Sequence, residues 1–371
     1  NVLAHELEKT TRGLPLTPAD VFAAVRGVHK RIKGSYSVVA LIAGHGLLAF
    51  RDPFGIRPLC MGRGRNGDSD TVMVASESVA LEGTAHHFER DIAPGEAVFV
   101  DLDGTVHAEQ CAANPQLKPC IFEFVYLARP DSVLDGISVY QARLNLGETL
   151  AKRVVSTVPP KDIDVIIPIP ESSRPSASQL AHLLGIPYRE GFVKNRYVGR
   201  TFIMPGQATR KKSVRQKLNA IGSEFKGKSV LLVDDSIVRG TTSKEIVQMA
   251  RDAGAAKVYL ASAAPPVRYP NVYGIDMPTS EELIAHNRTE EEIRQWIGCD
   301  ALIYQDLEAM KQAIAQVNPA IAGFEASCFD AQYITGDTSD EPRTHCQQPV
   351  SAEGEDDGEG SSRLSLPNAQ H

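Results

Sequence analysis

The sequence has no long apolar run and no paired-cysteine motif. No window approaches about eighteen uninterrupted apolar residues, which argues against a membrane-spanning helix. Its six cysteines form no C-x-x-C pair and are irregularly spaced; they are Cys60, Cys111, Cys120, Cys299, Cys328 and Cys346. This spacing argues against a structural zinc site or a disulfide framework, and we expect buried, reduced thiols in a cytoplasmic protein.

The chain also begins without an initiator methionine and without a basic and then apolar leader. Its first residues, NVLAHELEKT, are therefore not typical of a signal peptide. They predict the middle of a helix with Val2, Leu3 and Leu7 on one face. We expect the 371 residues to be part of a longer sequence, with room for two domains and a tail.

Net charge is low but unevenly placed. Of the net charge of −7, residues 337–371 carry −6, from eight acidic residues and two arginines. That segment is rich in Gly, Ser and Pro and has few large apolar residues, so we predict a disordered acidic tail. Residues 189–217 have the opposite bias, with nine Lys or Arg against Glu190. A basic segment in a nearly neutral body favours a local anionic ligand over a nucleic-acid surface.

Residues 1–112 predict antiparallel β-structure with flanking helices. Thr17 is an N-cap signal and Gly34 a stop signal for one helix. Short strand-like runs follow, separated by turn residues at Gly44 and at 101–104.

After a linker at 114–120 the pattern changes to strands alternating with helices. The runs DIDVIIPIP, KSVLLVDD and KVYLASAA lack alternation, as in strands buried on both faces. We therefore predict an α/β domain with a parallel sheet and flanking helices at 113–336. The predicted order is a β-rich domain at 1–112, this α/β domain, and the tail at 337–371.

A strand that ends in two acids and leads into a Gly-Thr-Thr helix start is the candidate site. In a parallel sheet, ligands bind beyond the carboxyl ends of the strands, where Asp234 and Asp235 follow SVLLV. The helix start at Gly240 offers free N–H groups to a phosphate. Hydroxyl donors surround it at Ser236, Thr241, Thr242 and Ser243. Carboxylates beside a phosphate are explained by sugar hydroxyls or a divalent cation, so the pattern predicts a sugar phosphate with a nearby metal.

Other sites explain less of this pattern. The sequence G-x-x-x-x-G-K-[ST] is absent, which argues against a P-loop nucleotidase. A phosphorelay receiver would lack the Gly-Thr-Thr helix entry. A purely structural N-cap at Thr241 would leave Asp234 and Asp235 unexplained.

The run SVLLVDDSIVRGTTS resembles the phosphoribosylpyrophosphate (PRPP) signature of type I phosphoribosyltransferases. With CIFEFVYLARPDS, IPIPESS, GFVKNRYVGRTFIMPGQATRKKSVRQKLN and NVYGIDMP, residues 1–336 are similar to the glutamine PRPP amidotransferase family, glycosyltransferases of purine synthesis. The upstream runs SYSVVALI, FRDPFGIRPL and VASES resemble the rear half of that family's glutaminase domain. The resemblance therefore implies an α/β type I phosphoribosyltransferase domain preceded by part of an α+β N-terminal-nucleophile (Ntn hydrolase-like) glutaminase domain.

The resemblance implies roles around PRPP. Asp234 and Asp235 would face the ribose hydroxyls and Mg²⁺, and Ser172 would be another magnesium ligand. Residues 240–243 would hold the 5′-phosphate, with Arg239 as a charge partner or simply an exposed cation. The pyrophosphate loop would consist of Glu171, Ser172, Ser173 and Arg174.

The basic segment is similar to the family's flexible loop, which closes over PRPP and excludes water from C1. Its implied cations are Lys194, Arg196, Arg200 and Lys217. The family's ammonia passage is matched by Tyr126, Thr201, Phe202 and Ile203, although ordinary packing explains these residue types equally well. Purine nucleotides inhibit the family at or near the PRPP site, and Lys194 and Ser213 are candidate contacts.

The implied reaction is attack of ammonia, derived from glutamine, on C1 of PRPP. It yields 5-phosphoribosylamine and pyrophosphate with inversion at C1, mainly through positioning and charge neutralisation. The family's nucleophile is an N-terminal cysteine, and none of the cysteines here matches it. We therefore expect the sequence in hand to use at most free ammonia and not to hydrolyse glutamine.

Some family members carry an iron–sulfur cluster on four cysteines. Cys120 and Cys328 fall near two of those positions and Asn271 and Glu325 near the others, so we expect no cluster. Family analogy implies a homo-oligomer, and we expect neither a nucleic-acid nor a membrane partner.

Two alternatives to the amidotransferase are a base-salvage phosphoribosyltransferase and a PRPP-binding regulator without turnover. A salvage enzyme would not explain the β-rich region at 35–106. A regulator is favoured by a DNA-binding helix-turn-helix, which the sequence does not show.

Overall fold

Two kinds of β-sheet follow one another along the chain, as the residue patterns predict. The computed structural model describes residues 1–11, 15–67, 69–195, 214–277, 279–321 and 323–336. The predicted tail at 337–371 lies outside these residues. Residues 1–336 form one compact unit, and the architecture below is that of this unit.

The chain begins with two helices, α1 (Val2–Thr11) and α2 (Pro18–Arg31). Thr17 is the N-cap of α2, as predicted. Its hydroxyl accepts from Asp20 N at 3.3 Å while the Asp20 carboxylate accepts from Thr17 N at 2.9 Å, which completes a capping box. The helix ends before the predicted stop at Gly34, because Ile32 turns to extended backbone and packs onto the same core.

Antiparallel strands form two layers behind these helices. The strands are β1 (Ser37–Ile42), β2 (Gly46–Arg51), β3 (Cys60–Asn66), β4 (Ser69–Ala75), β5 (His86–Asp91), β6 (Glu96–Asp101) and β7 (Val106–Gln110), and a short helix α3 (Ser78–Glu82) follows β4. The sheet orders are β1-β2-β6-β7 and β4-β3-β5. Leu48 and Phe50 pack with α2, whereas Ala49 packs with Met61 of the second sheet, because alternate residues of a strand point to opposite faces.

The second part contains the predicted parallel sheet, in the order β10-β13-β14-β15. Its strands are β10 (Val165–Pro168), β13 (Ser229–Asp234), β14 (Lys257–Ser262) and β15 (Ala301–Tyr304). Two small hairpins pair β8 (Val133–Leu134) with β9 (Ile137–Ser138) and β11 (Phe192–Lys194) with β12 (Leu218–Ala220). The sequence did not indicate β15, because its four residues gain strand geometry only by pairing with β14.

Helices cover both faces of the parallel sheet. They are α4 (Val139–Thr157), α5 (Arg174–Leu184), α6 (Gly222–Phe225), α7 (Thr241–Asp252), α8 (Glu290–Ile297), α9 (Leu307–Ala315) and α10 (Ser327–Asp330), with a π-helical turn at Glu123–Leu127 and 3-10 turns at Pro160–Asp162 and Ser280–Glu282. Leu231 packs with α4 and α5, and Leu232 packs with α7 and α8. Burial on both faces explains why these strands show no alternation.

The predicted linker lies along the antiparallel part. Gln116 N donates to Pro53 O at 3.0 Å, and Cys120 N donates to Ile56 O at 3.0 Å. Ile56 also enters the core that contains Phe122 of the second part. The domain boundary near residue 112 stays a prediction. Of the helices in the described ranges, none combines the length and the apolar character needed to cross a bilayer.

Candidate functional site

The loops that follow β10 and β13 leave the sheet side by side. The two strands are parallel neighbours, and Ile169 N donates to Val233 O at 2.8 Å just beyond the last residue of β10. Residues 169–174 and 234–243 therefore begin at one edge of the sheet, the edge where open α/β sheets bind their ligands.

Asp234 and Asp235 lie together at this edge, each 8% exposed. Asp235 N donates to Asp234 Oδ1 at 2.9 Å, and Ser236 Oγ donates to Asp235 Oδ1 at 2.7 Å. Ser172 Oγ, from the β10 loop, donates to Asp235 Oδ2. The structure thus brings the predicted pyrophosphate loop into direct contact with the predicted acid pair.

The acid pair is electrostatically unfavourable by itself. Burial raises the pKa of both carboxyl groups, and the charge of Asp235 raises the pKa of Asp234 further. In the described part of the chain neither carboxylate forms an ion pair with a lysine or arginine. Because buried charges in proteins are normally paired or bound to a metal, this pair is suited to a cation.

The oxygen atoms at this edge suit a hard divalent cation whose ligands come partly from the protein and partly from a substrate. Within the described ranges no three or more His, Cys, Asp or Glu side chains are grouped to hold a metal by themselves. The protein oxygens available at the edge are those of Asp234, Asp235 and Ser172. Mg²⁺ is commonly held in this way, by one or two carboxylates together with water and substrate phosphates.

The helix start beside the acids fits a phosphate group. Gly240 precedes α7 with φ +73° and supplies no side-chain cap. A Cβ at this position would lie 2.2 Å from Ile284 Cδ1, so the turn requires glycine. The first-turn N–H groups, those of Thr241, Thr242 and Ser243, have no partner within the helix and carry its partial positive charge.

Arg239 lies near a different acid, Glu282. Its Nη2 lies 3.5 Å from Glu282 Oε2, and its Nε has no hydrogen-bond partner among the described residues. It lines a cavity of about 260 Å³ together with Thr241 and Trp296. The role of Arg239 as a charge partner for PRPP stays a prediction.

The residues of the predicted pyrophosphate loop contact different partners. Ser173 Oγ donates to Ile169 O at 2.6 Å and closes the loop, whereas Arg174 Nε lies 3.1 Å from Glu190 Oε1. Glu171 Oε2 lies 3.9 Å from Lys194 Nζ. Lys194 is in turn close enough to Lys217 for its charge, after burial, to lower the pKa of Lys217. Two predicted loop cations therefore lie near the pyrophosphate loop.

Several predicted residues cannot be placed. Arg196, Arg200, Thr201, Phe202, Ile203 and Ser213 lie outside the described residues. Tyr126 is described: it belongs to the π-helical turn Glu123–Leu127 and is 48% exposed.

The four positions near the family's cluster ligands are occupied by a mixed set of groups. Glu325 accepts from Ser327 N at 2.8 Å and from Ser327 Oγ, and Asn271 Oδ1 accepts from Tyr273 N at 2.8 Å. A carboxylate and an amide bonded in this way, beside two buried thiols, do not fit a four-thiolate cluster. The expectation of no cluster stays a prediction.

Sequence reasoning missed one residue near this edge. Arg143 of α4 is 2% exposed, and its positive charge favours the ionised form of Asp235. A charged residue on the apolar face of a helix next to the buried Ala142 and Leu146 was the available signal.

One strand of the parallel sheet ends in the acid pair and the glycine-led helix start, and the adjacent strand ends in the serine loop. This combination defines a phosphoribosyltransferase site. Residues 137–277 match a family model described as the phosphoribosyl transferase domain. The chain is 57% identical to the amidophosphoribosyltransferase of Pseudomonas aeruginosa over 340 residues, covering 92% of this chain and 68% of that relative. The chain belongs to the amidophosphoribosyltransferase family, whose members transfer a phosphoribosyl group and are glycosyltransferases.

Solved structures agree with this placement. A B. subtilis glutamine PRPP amidotransferase, complexed with ADP and GMP, has a TM-score of 0.74 and 36% identity and covers 91% of this chain and 76% of its own. A structure described as the allosteric regulatory enzyme of purine biosynthesis has a TM-score of 0.77 and 38% identity, covering 91% of this chain and 69% of its own. The resemblance read from the motifs, and the fold it implied, are confirmed.

Proposed function

We propose that the acid edge binds PRPP and catalyses its amination at C1. The nitrogen lone pair of ammonia forms the new bond to C1 while the bond from C1 to the pyrophosphate oxygen breaks, and pyrophosphate leaves with the electron pair. A proton is then lost from the ammonium product to solvent. The products are 5-phosphoribosylamine and pyrophosphate, which makes this the first committed step of purine synthesis.

The observation that carries the proposal is the contact between Ser172 and Asp235. It unites the strand loop suited to pyrophosphate with the strand loop suited to the ribose and its 5′-phosphate. We assign the ribose hydroxyls to Asp234 and Asp235, and the 5′-phosphate to residues 240–243. We assign the pyrophosphate to residues 171–174. Lys194 and Lys217 are close enough to neutralise part of its charge.

We assign Mg²⁺ as the cation of the acid pair, held by Asp234, Asp235 and Ser172. When bound, it would offset the negative charge of the leaving pyrophosphate. The two carboxylates themselves would orient the ribose by accepting hydrogen bonds from its hydroxyls.

Purine nucleotides are the proposed regulatory ligands, because the B. subtilis relative was solved with ADP and GMP. A homo-oligomer and a cytoplasmic location are further parts of this proposal, supported by family membership. In the relatives' family, glutamine is the source of ammonia; an assay that supplies ammonia directly tests the phosphoribosyl site independently of that source.

The test is PRPP-dependent release of pyrophosphate with ammonium chloride, then with free purine and pyrimidine bases, then with neither. We expect release with ammonium only, abolished by a chelator and restored by Mg²⁺. Release with a free base would instead indicate a salvage enzyme, and PRPP binding without any release would indicate a regulator.

A matched pair of variants locates the reaction. Asp235→Asn should lower kcat/KM for PRPP about ten- to hundredfold, the effect of losing a charged hydrogen bond worth about 1.5–3 kcal/mol. Asp164→Asn is the control, since Asp164 is exposed at the opposite ends of the same strands and accepts from Ser229 N at 2.7 Å, which an asparagine oxygen also does. Equal activity of the two variants would contradict the assignment.

A further inference from the structure

A buried arginine lies between the turn that carries Tyr126 and the acid pair. Arg143 is near the start of α4 and is 2% exposed. Within the described ranges its guanidinium forms no ion pair with a carboxylate. A buried charge without a close counter-charge is costly, so its presence calls for a specific use.

The Arg143 guanidinium binds two carbonyls of one short segment. Nε donates to Phe124 O at 2.9 Å, and Nη2 donates to Ala128 O at 2.8 Å. These carbonyls lie within and just after the π-helical turn Glu123–Leu127. Carbonyls at the end of a helical turn lack intrahelical partners, and the planar fork of arginine holds two of them in a fixed relation. Arg143 therefore sets the geometry of the turn on which Tyr126 lies.

The antiparallel part also holds this turn. Arg57 Nη1 lies 2.8 Å from Glu123 Oε1, and Arg57 Nη2 donates to Tyr273 O at 2.8 Å. Glu77 Oε2 accepts from Arg129 N at 2.9 Å just beyond the turn. The turn is thus held by Arg143 from α4 and by side chains of the antiparallel part.

Arg143 is also tied to the loops of that site. Ser176 Oγ donates to Arg143 O at 2.8 Å, and Ser176 lies in α5, the helix that follows the pyrophosphate loop. One turn further along α4, a Cβ on Gly147 would lie 2.4 Å from Ser176 O, so α4 and α5 are in close backbone contact there. The charges of Arg143 and Asp235 attract each other. Arg143 therefore links the Tyr126 turn, through its side chain, to α5, through its main-chain carbonyl, and its charge acts on Asp235.

We propose that Arg143 is a positioning residue that keeps the Tyr126 turn in register with the acid pair, so that ammonia reaches C1 of PRPP in line for attack. The inference rests on the proposed function, since it takes PRPP to be at the acid pair, and on the resemblance that matches Tyr126 to the family's ammonia passage. Arg143 touches no substrate and acts through the carbonyls of Phe124 and Ala128. Because reacting atoms must approach to about 3–3.5 Å, a small shift of the turn has a large effect on rate.

The test measures two Michaelis constants in the full chain, with ammonium chloride varied at saturating PRPP and PRPP varied at saturating ammonium. Arg143→Met should raise the KM for ammonia and lower kcat/KM for ammonia by up to about a hundredfold, the effect of a displacement near 1 Å. Arg143→Lys keeps the charge but loses the fork. It should leave the KM for PRPP at the wild-type value and raise the KM for ammonia to an intermediate level.

Arg153→Met is the matched control. Arg153 is an exposed arginine on the same helix whose Nε donates to a carbonyl, that of Tyr304, at 3.3 Å. It should have wild-type constants for both substrates.

The inference would be overturned if Arg143→Met had a wild-type unfolding midpoint and the same KM for ammonia as Arg153→Met. Should Arg143→Met not fold, the decision falls to Arg143→Lys: an unchanged ammonia KM overturns the inference, and a raised one with an unchanged PRPP KM supports it. A wild-type chain that releases no pyrophosphate with ammonia would overturn the proposed function and the inference together, so the two failures are distinguishable.

Discussion

The guanidinium of Arg51 and the carboxylate of Asp135 form a buried bidentate ion pair. Nη1 lies 2.7 Å from Oδ1 and Nη2 lies 2.8 Å from Oδ2, and the two side chains are 1% and 4% exposed. The other donors of Arg51 bind the carbonyls of Gly55, Arg57 and Ile92. The pair ties β2 to the β8–β9 turn, and that turn leads directly into the helix that carries Arg143.

Asp135→Asn should lower the free energy of unfolding by about 3–5 kcal/mol, because it leaves the Arg51 charge buried without its partner. Asn tolerates the left-handed backbone of this position, where φ is +50°, so the loss reports the ion pair and not backbone strain. Urea unfolding at neutral pH measures it. The control is Asp70→Asn, which breaks the exposed Arg65–Asp70 pair and should cost under about 1 kcal/mol. Similar losses in the two variants would contradict this account.

Gly240→Ala should weaken both the fold and the reaction. Its left-handed backbone costs a residue with a Cβ roughly 1–2 kcal/mol, and that Cβ would also press on Ile284 and Trp296. Displacement of the helix start should raise the KM for PRPP in the pyrophosphate-release assay. Gly185→Ala isolates the backbone cost, since Gly185 has φ +65° with no atom within 4 Å of the added Cβ. We expect Gly185→Ala to keep the wild-type KM; the same KM for Gly240→Ala would argue against a phosphate at this turn.

The carboxyl group of Asp91 should make stability depend on pH. Burial, reinforced by the charge of Asp135, raises the pKa of Asp91 from its ordinary 3.8 to about 6. A carboxyl group that binds its proton more tightly in the folded protein lowers the free energy of unfolding as the pH rises between these values. Asp91→Asn removes this loss, so the variant should gain stability relative to wild type between pH 4 and pH 6 and keep the gain above pH 6. Urea unfolding at pH 4.5 and pH 7.5 tests it, and a difference independent of pH would refute it.

Ser172→Ala should change the metal requirement more than the fold. The hydroxyl of Ser172 donates to Asp235, and removing such a supporting bond commonly weakens metal binding by about 10- to 100-fold. The Mg²⁺ concentration that gives half-maximal pyrophosphate release should rise by a factor in that range. Ser156→Ala is the control, because the Ser156 hydroxyl only donates to Arg153 O on the exposed side of α4. An unchanged Mg²⁺ requirement in Ser172→Ala would remove Ser172 from the metal site.

Local signals in the sequence predicted much of the fold. The cap at Thr17 and the unalternating strand before Asp234 are each properties of a few neighbouring residues, and the structure has both. The short strand β15 was not predicted, because pairing with β14 decides its state and not its own composition.

The sequence by itself determined the class of site. A sugar-phosphate site is indicated by two acids, a glycine and a run of hydroxyl residues at the end of one strand. This holds because open parallel sheets bind ligands at the carboxyl ends of their strands. Only the tertiary structure decided what surrounds that site. The contact of Ser172 with Asp235 spans 63 positions and that of Arg51 with Asp135 spans 84. Contacts between residues so far apart leave no local periodicity in the sequence, because they form only when separate elements pack together. The hydrogen bonds of Arg143 to the Tyr126 turn are of the same kind.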